Sequence, residues 1–210
     1  MTHTAHILPL TGDDPKLQDP ALRDLVAFVG YSPNALLTMA KVPNLLQAAL
    51  AMVQVGLRQA GDLPVAMRFL VACEASRISG CYYSTVHAVH AANHAGVPWE
   101  KLTALPQYTI SAQFDDAERA ALAIASASVR NPPVPPADEF RLAGQWFSER
   151  QILEIVAAAS LFGWFNRWNM LMCSELEPVP AEALRHVSWL STLATSVQTT
   201  HSPRIGSQDE

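Results

Sequence analysis

The chain has 210 residues, half of them apolar and 16% charged, with a net charge of −5 and only 14 lysines and arginines. That balance fits one well-buried core and excludes an extended disordered chain, and with no basic run interleaved with aromatics no nucleic-acid partner is expected. The opening stretch MTHTAHILPLTGDDPKLQDP has neither the basic nor the apolar region of a secretion signal, and the longest uncharged apolar run, 155–165, is too short for a bilayer, so a soluble cytoplasmic protein without a membrane partner is expected.

In chain order, residues 1–20 are polar and broken by proline, and are expected to form a segment preceding the folded domain. The stretch SPNALLTMAK places Ser32 as an N-cap and Pro33 at the first helical position, where a missing N–H costs nothing. PNLLQAALAMVQVGLRQAG carries Leu46, Ala49, Val53 and Leu57 on one stripe and is expected to stop at Gly61. VAMRFLVACEASRIS and CYYSTVHAVHAANHAG form a helix pair broken at Gly80, the second helix ending at Gly96.

FDDAERAALAIASASVR begins with an Asp115/Glu118 cap, and FSERQILEIVAAASLFGWFNRWNML with a Ser148/Gln151 capping box. The latter is long enough to be the central helix of the second half. Between them NPPVPPADEF, residues 131–140, is expected to be an extended connector, because its four prolines oppose a helix. No run alternates long enough to be a strand. The expected fold is a single all-α domain over residues 21–195, followed by a flexible polar tail over 196–210.

Three cysteines (Cys73, Cys81, Cys173) cannot all pair, so any that matters acts as a thiol. Cys73 and Cys173 sit in apolar runs and read as structural. Cys81 would start a helix, where unpaired N–H groups and the helix dipole favour the thiolate. Ser84 and His87 follow along the same side, so His87 is a candidate proton partner for position 84. Glu74 lies two turns before Cys81; if Gly80 folds the two helices together, Glu74 is expected near His87 and Cys81 as part of a proton relay. His87, His90 and His94 share one helix face, but three imidazoles on one helix seldom converge on one ion, and no metal is expected. Trp164, Phe165 and Trp168 read as core or subunit interface, whereas Asn166 and Asn169 are polar where apolar residues would pack more easily, and are secondary pocket candidates.

The stretch CEASRISGCYYSTVHAVHAANHAGV resembles the core of the carboxymuconolactone decarboxylase/alkyl hydroperoxidase D-like family, one branch of which carries C-x-Y-C-x-x-H-x-x-H-A-A. Glu74, Ser76, Arg77, Gly80, Cys81, Tyr83, His87, His90, Ala91 and Ala92 match in register. The similarity extends over roughly residues 30–175, including the N-R-W-N run at 166–169. It implies an alkyl hydroperoxidase D-like helical fold, a homo-oligomer (dimer, trimer or hexamer), a small-molecule substrate, and neither cofactor nor metal. In peroxidase members the second cysteine attacks the hydroperoxide, the first resolves it as a disulfide, and a glutamate and a histidine relay the proton. By position Cys81 is the resolving cysteine, Glu74 and His87 are the relay, and Ser84 replaces the attacking thiol, with Tyr83 and His90 as secondary pocket residues.

A hydroxyl forms neither a sulfenic acid nor a disulfide, so a two-cysteine peroxidase cycle is not expected. The expected function is acid–base, decarboxylase/lactone-type or single-thiol chemistry on a small organic substrate through Glu74, Cys81, Ser84 and His87. Two alternatives stay open: a one-cysteine alkyl hydroperoxidase using Cys81, and a non-catalytic binding or assembly protein on the same frame.

Overall fold

A computed structural model of the chain describes residues 5–11, 14–130 and 136–200, residues 195–200 by their backbone alone. Ten α-helices are present among them: α1 (Pro20–Val29), α2 (Asn34–Met39), α3 (Leu45–Val53), α4 (Val65–Ile78), α5 (Tyr82–His94), α6 (Trp99–Ala104), α7 (Asp116–Ala127), α8 (Ala137–Ala143), α9 (Glu149–Met172) and α10 (Trp189–Thr200). No strand occurs among the described residues, and none of their helices is long and apolar enough to cross a membrane. The all-α expectation is met.

The centre is α4, whose residues from Arg68 to Ser76 are all buried. It packs against α5, α9 and α7, so nearly its whole circumference is covered. Small residues make this possible: Ala72, Cys73 and Ala75 have no exposed surface. One apolar core runs from Leu22 to Leu190, which places residues of the first and last helices in the same cluster.

The turn between α4 and α5 fixes the site, because it decides how the two helices face one another. Gly80 sits at φ +71, its N–H bonds to the Arg77 carbonyl, and the Cys81 N–H bonds back to the Ser76 carbonyl. This pair of bonds is a Schellman motif, which closes the last carbonyls of α4 and requires a left-handed residue. Gly96, at φ +98, ends α5 the same way, with the Gly96 and Val97 N–H groups bonding to Asn93 and Ala92. Both capping boxes form as the sequence requires: Asp115 with Glu118 on α7, and Ser148 with Gln151 on α9.

Several boundaries differ from the sequence expectation. Pro33, not Ser32, is the N-cap of α2, with no side-chain cap of its own. The stripe Leu46, Ala49, Val53 and Leu57 is buried, but the helix closes in a π-helical turn over Gln54–Arg58, before Gly61. Gly61 instead lies flat against Arg68 and Glu154, whose ion pair (2.9 Å) closes this end of α4. The connector expected over 131–140 becomes helical directly after Pro136, since a proline before the first turn sacrifices no helical hydrogen bond; residues 131–135 lie outside the described residues. The tail expected from Ser196 continues α10 through Thr200, and 201–210 lie outside the description.

Two glycines predict opposite outcomes in urea unfolding. Gly80→Ala forces a Cβ into the left-handed region and is expected to cost about 1–2 kcal/mol, although no atom lies within 4 Å of the new methyl. Gly163→Ala, inside α9 and equally unobstructed, is expected to gain about 0.5–1 kcal/mol.

Candidate active site

Against one face of α5 lies a half-open cavity of about 80 Å³, space for several water molecules. Most of its wall is apolar, drawn from α1, α2, α3, α4 and α9 through residues such as Leu25, Leu36, Val53, Phe69 and Phe162. The π-helical turn contributes Leu57. Five side chains with polar groups interrupt this wall: Tyr31, Tyr83, Ser84, His87 and Asn169.

His87 is held at both ring nitrogens. Its Nε2 lies 2.7 Å from Glu177 Oε2, and its Nδ1 lies 2.8 Å from the Tyr31 hydroxyl. A carboxylate accepts only, so neutral His87 carries its hydrogen on Nε2 and the Tyr31 hydroxyl donates to Nδ1. Tyr83 stacks on the imidazole with ring centres 4.0 Å apart and donates its hydroxyl to Glu177 Oε1 (2.8 Å). The backbone N–H of Asn34 also donates to Oε1. Burial works to raise the Glu177 pKa, but the bonds from His87, Asn34 and Tyr83 prevail and hold it below the usual carboxylate value. Burial pushes the Tyr31 and Tyr83 phenols up, reinforced by the negative charge on Glu177, so both remain protonated donors.

The same contacts explain the shifted start of α2. Its first N–H groups, on Asn34 and Ala35, are satisfied by Glu177 and by the Tyr83 hydroxyl (3.2 Å), so no local cap is needed. Glu177 is brought there by the loop after α9. Cys173 ends that helix in a left-handed conformation, Ser174 Oγ donates to Asn169 Oδ1 (2.8 Å), and Asn34 Nδ2 donates to the Glu175 carbonyl (2.9 Å).

Ser84, His87, Tyr83 and Asn169 thus come together as expected, whereas other expectations change. Glu74 does not reach His87. It lies on the side of α4 facing α7, gripped by Arg77 through two 2.8 Å bonds and by the Ser126 hydroxyl at 2.7 Å. A fully buried carboxylate takes the nearest cation, and Arg77 stands one turn along its own helix. Asn166 donates to Ser79 (3.2 Å), and His90 Nε2 bonds the Val29 carbonyl (2.8 Å); neither lines the cavity.

Cys81 departs from its expected activation. It is the N-cap of α5, but it is buried with Ala35 and Tyr83, with Trp168 and Leu176 packed around them. Burial raises its pKa, and the opposing effect of its contacts with Ser84 does not compensate. Cys81 lies behind Ser84, its Sγ 3.3 Å from the Ser84 Oγ, and is not among the cavity-lining residues. Among the described residues no group of three or more His, Cys, Asp or Glu side chains is placed to hold a metal.

Tyr31 and Glu177 were not singled out from sequence. Tyr31 stands in a short loop, and Glu177 is 90 residues from His87, so no local spacing marks either.

Comparison with known proteins agrees with this architecture. The carboxymuconolactone decarboxylase family profile matches residues 43–127. The crystal structure of a cysteine-to-alanine variant of the debrominase Bmp8, in complex with 2,3,4-tribromopyrrole, is 30% identical with a TM-score of 0.79, over 87% of this chain and 97% of that one. The alkylhydroperoxidase AhpD core of an uncharacterised peroxidase-related protein from Ralstonia eutropha JMP134 shares the fold at 19% identity and a TM-score of 0.68, over 83% and 95% of the two chains. A peroxidase-related protein from a Silicibacter species does so at 22% and 0.67, over 85% and 96%. A search of curated proteins gave no match. The chain belongs to the carboxymuconolactone decarboxylase family, with the alkyl hydroperoxidase D-like helical fold.

Two measurements check the site. Alkylation of Cys81 in the folded protein is expected to be slower than that of the less buried Cys173, with a rate profile whose midpoint lies above that of an exposed thiol. Glu177 has a depressed pKa in the folded state, so its stabilisation is complete above the unfolded value near 4.5 and is lost as pH falls through the folded value. Glu177→Gln is therefore expected to be less stable at neutral pH and to lack that part of the acid loss, as read by urea unfolding at stepped pH.

Proposed function

We propose that this protein is an enzyme that moves a proton on a small, mostly apolar organic substrate, with Tyr31 and His87 as the relay and Glu177 as the carboxylate behind it. One observation carries this reading: on the wall of an apolar cavity, His87 is held between the Tyr31 hydroxyl at 2.8 Å and the Glu177 carboxylate at 2.7 Å. Tyr31 donates its hydrogen to His87, so its oxygen lone pairs remain for the substrate. As the Tyr31 oxygen takes a substrate proton, its own proton passes to His87 Nδ1. The imidazolium that forms faces the carboxylate of Glu177, which stabilises it in a site of low polarity. Return of the proton along the same path completes the transfer, and no phenolate need accumulate. A relay through Glu74 is not retained, since Arg77 and Ser126 occupy that carboxylate.

A second reading is favoured by the debrominase. Its tribromopyrrole is a single small ring, and its crystallised variant lacks a cysteine. On this reading Cys81 supplies the thiol for thiol-dependent removal of halogen from a heteroaromatic ring. Burial of Cys81 behind Ser84, and its protonated state, make it the weaker of the two.

One experiment separates them. A panel of small keto acids, lactones and 2,3,4-tribromopyrrole is incubated in deuterated water, with and without added thiol, and followed by NMR for exchange, decarboxylation or halide loss. Proton transfer is expected on at least one carbonyl member, falling about a hundredfold to ten-thousandfold in His87→Gln and Tyr31→Phe and staying within a few fold in Cys81→Ala. Thiol-dependent halide loss that vanishes in Cys81→Ala and ignores His87→Gln would establish the second reading instead. Tight binding with no chemistry across the panel would make this a binding protein.

A further inference from the structure

Ser84 stands on the cavity wall where the family's attacking thiol would be, and its hydrogen-bond partners dictate a different use. The oxygen of a serine has two lone pairs and one hydrogen. The Asn169 amide donates to Ser84 Oγ at 3.0 Å, and the Cys81 thiol donates to the same oxygen at 3.3 Å. Both lone pairs are filled. Burial keeps the Cys81 thiol protonated, so it has a hydrogen to donate. Asn169 is held on its other side too, its Oδ1 accepting from the Ser174 hydroxyl at 2.8 Å while its Nδ2 faces Ser84. Among the described residues Ser84 donates to no acceptor.

Ser84 is 2% exposed and borders a cavity whose wall is otherwise largely apolar. His87 cannot activate it as a nucleophile, since both imidazole nitrogens are engaged by Tyr31 and Glu177. We infer that Ser84 is the cavity's hydrogen-bond donor to a substrate oxygen, and that the substrate is a small carbonyl or phenolic compound on whose oxygen negative charge develops. This rests on the proton-transfer reading and specifies its substrate class. For a carbonyl substrate, the proton on the adjacent carbon passes to the Tyr31 oxygen and the Tyr31 proton to His87 Nδ1. The electron pair of the broken C–H bond becomes the C=C bond of an enolate, and the carbonyl π pair moves onto the oxygen, where Ser84 donates. No oxidant or reductant enters. The chain from Ser174 through Asn169 to Ser84 polarises that donor, since hydrogen bonds aligned head to tail strengthen one another in a medium of low dielectric.

The probe is 4-nitrophenol, a single ring with an ionisable oxygen and an absorbance that reports its ionisation, with 4-nitroanisole as the matched ring that cannot ionise. The wild type is expected to bind 4-nitrophenolate. Ser84→Ala is expected to weaken that binding by about tenfold to a hundredfold, the loss of one donor to a charged oxygen, while changing the anisole little. Ser84→Thr, which keeps the hydroxyl, is expected to recover most of the phenolate affinity and guards against a folding defect in the alanine variant. An equal loss for both ligands, no loss for either, or no phenolate binding by the wild type would overturn the inference. Failure of the proton-transfer reading shows elsewhere: Ser84-dependent phenolate binding would persist while His87→Gln left exchange in deuterated water unaffected.

Discussion

The structure around the cavity depends on one buried carboxylate. Glu177 receives the Asn34 backbone N–H, the Tyr83 hydroxyl and the His87 imidazole, and each comes from a different requirement of the fold. The first starts α2, the second fixes the ring that stacks on His87, and the third sets the histidine's tautomer. A carboxylate on a residue only 8% exposed stays ionised only when donors replace the water it has lost. Here three do, and its pKa is held down rather than driven up by burial. Fold and site therefore share one interaction. The loop that follows α9 cannot leave without uncapping α2 and freeing His87.

How much of this was legible in the sequence depends on the distance between the partners. The capping boxes of α7 and α9 and the glycine turns after α4 and α5 are formed by residues within five positions of one another, and all four were readable. Ser84, His87 and Tyr83 were readable for the same reason, since helical spacing places them on neighbouring turns. The start of α2 was not, because its cap comes from Glu177, 143 residues away. Glu74 was the natural relay carboxylate by proximity in sequence. It was displaced because Arg77, three positions on, claims it within α4 itself. Cys81 departs from its expected activation for a related reason. Its place at a helix start is local and visible, but the burial that raises its pKa comes in part from Trp168 and Leu176, far along the chain.

Position 84 carries a hydroxyl where the family resemblance implies a thiol, and the two groups differ in their hydrogen bonding as well as their reactivity. A thiol is a weak hydrogen-bond partner whose value lies in its redox chemistry. A hydroxyl joins hydrogen-bond networks, and here the surroundings match it: Asn169 and Ser174 form a directed chain that ends on the Ser84 oxygen, with the remaining cysteine completing it. The helical frame thus presents a hydroxyl and a doubly held histidine to one apolar cavity.

The central claim is the state of His87. Nitrogen NMR of the imidazole tests it directly, through the ring shifts and the couplings that reveal which nitrogen carries hydrogen. In neutral His87 the hydrogen is expected on Nε2, facing Glu177, with Nδ1 bare and shifted by the hydrogen bond it accepts from Tyr31. In Glu177→Gln that preference should weaken. A neutral ring with its hydrogen on Nδ1, or one averaging freely between tautomers in the wild type, would contradict the account.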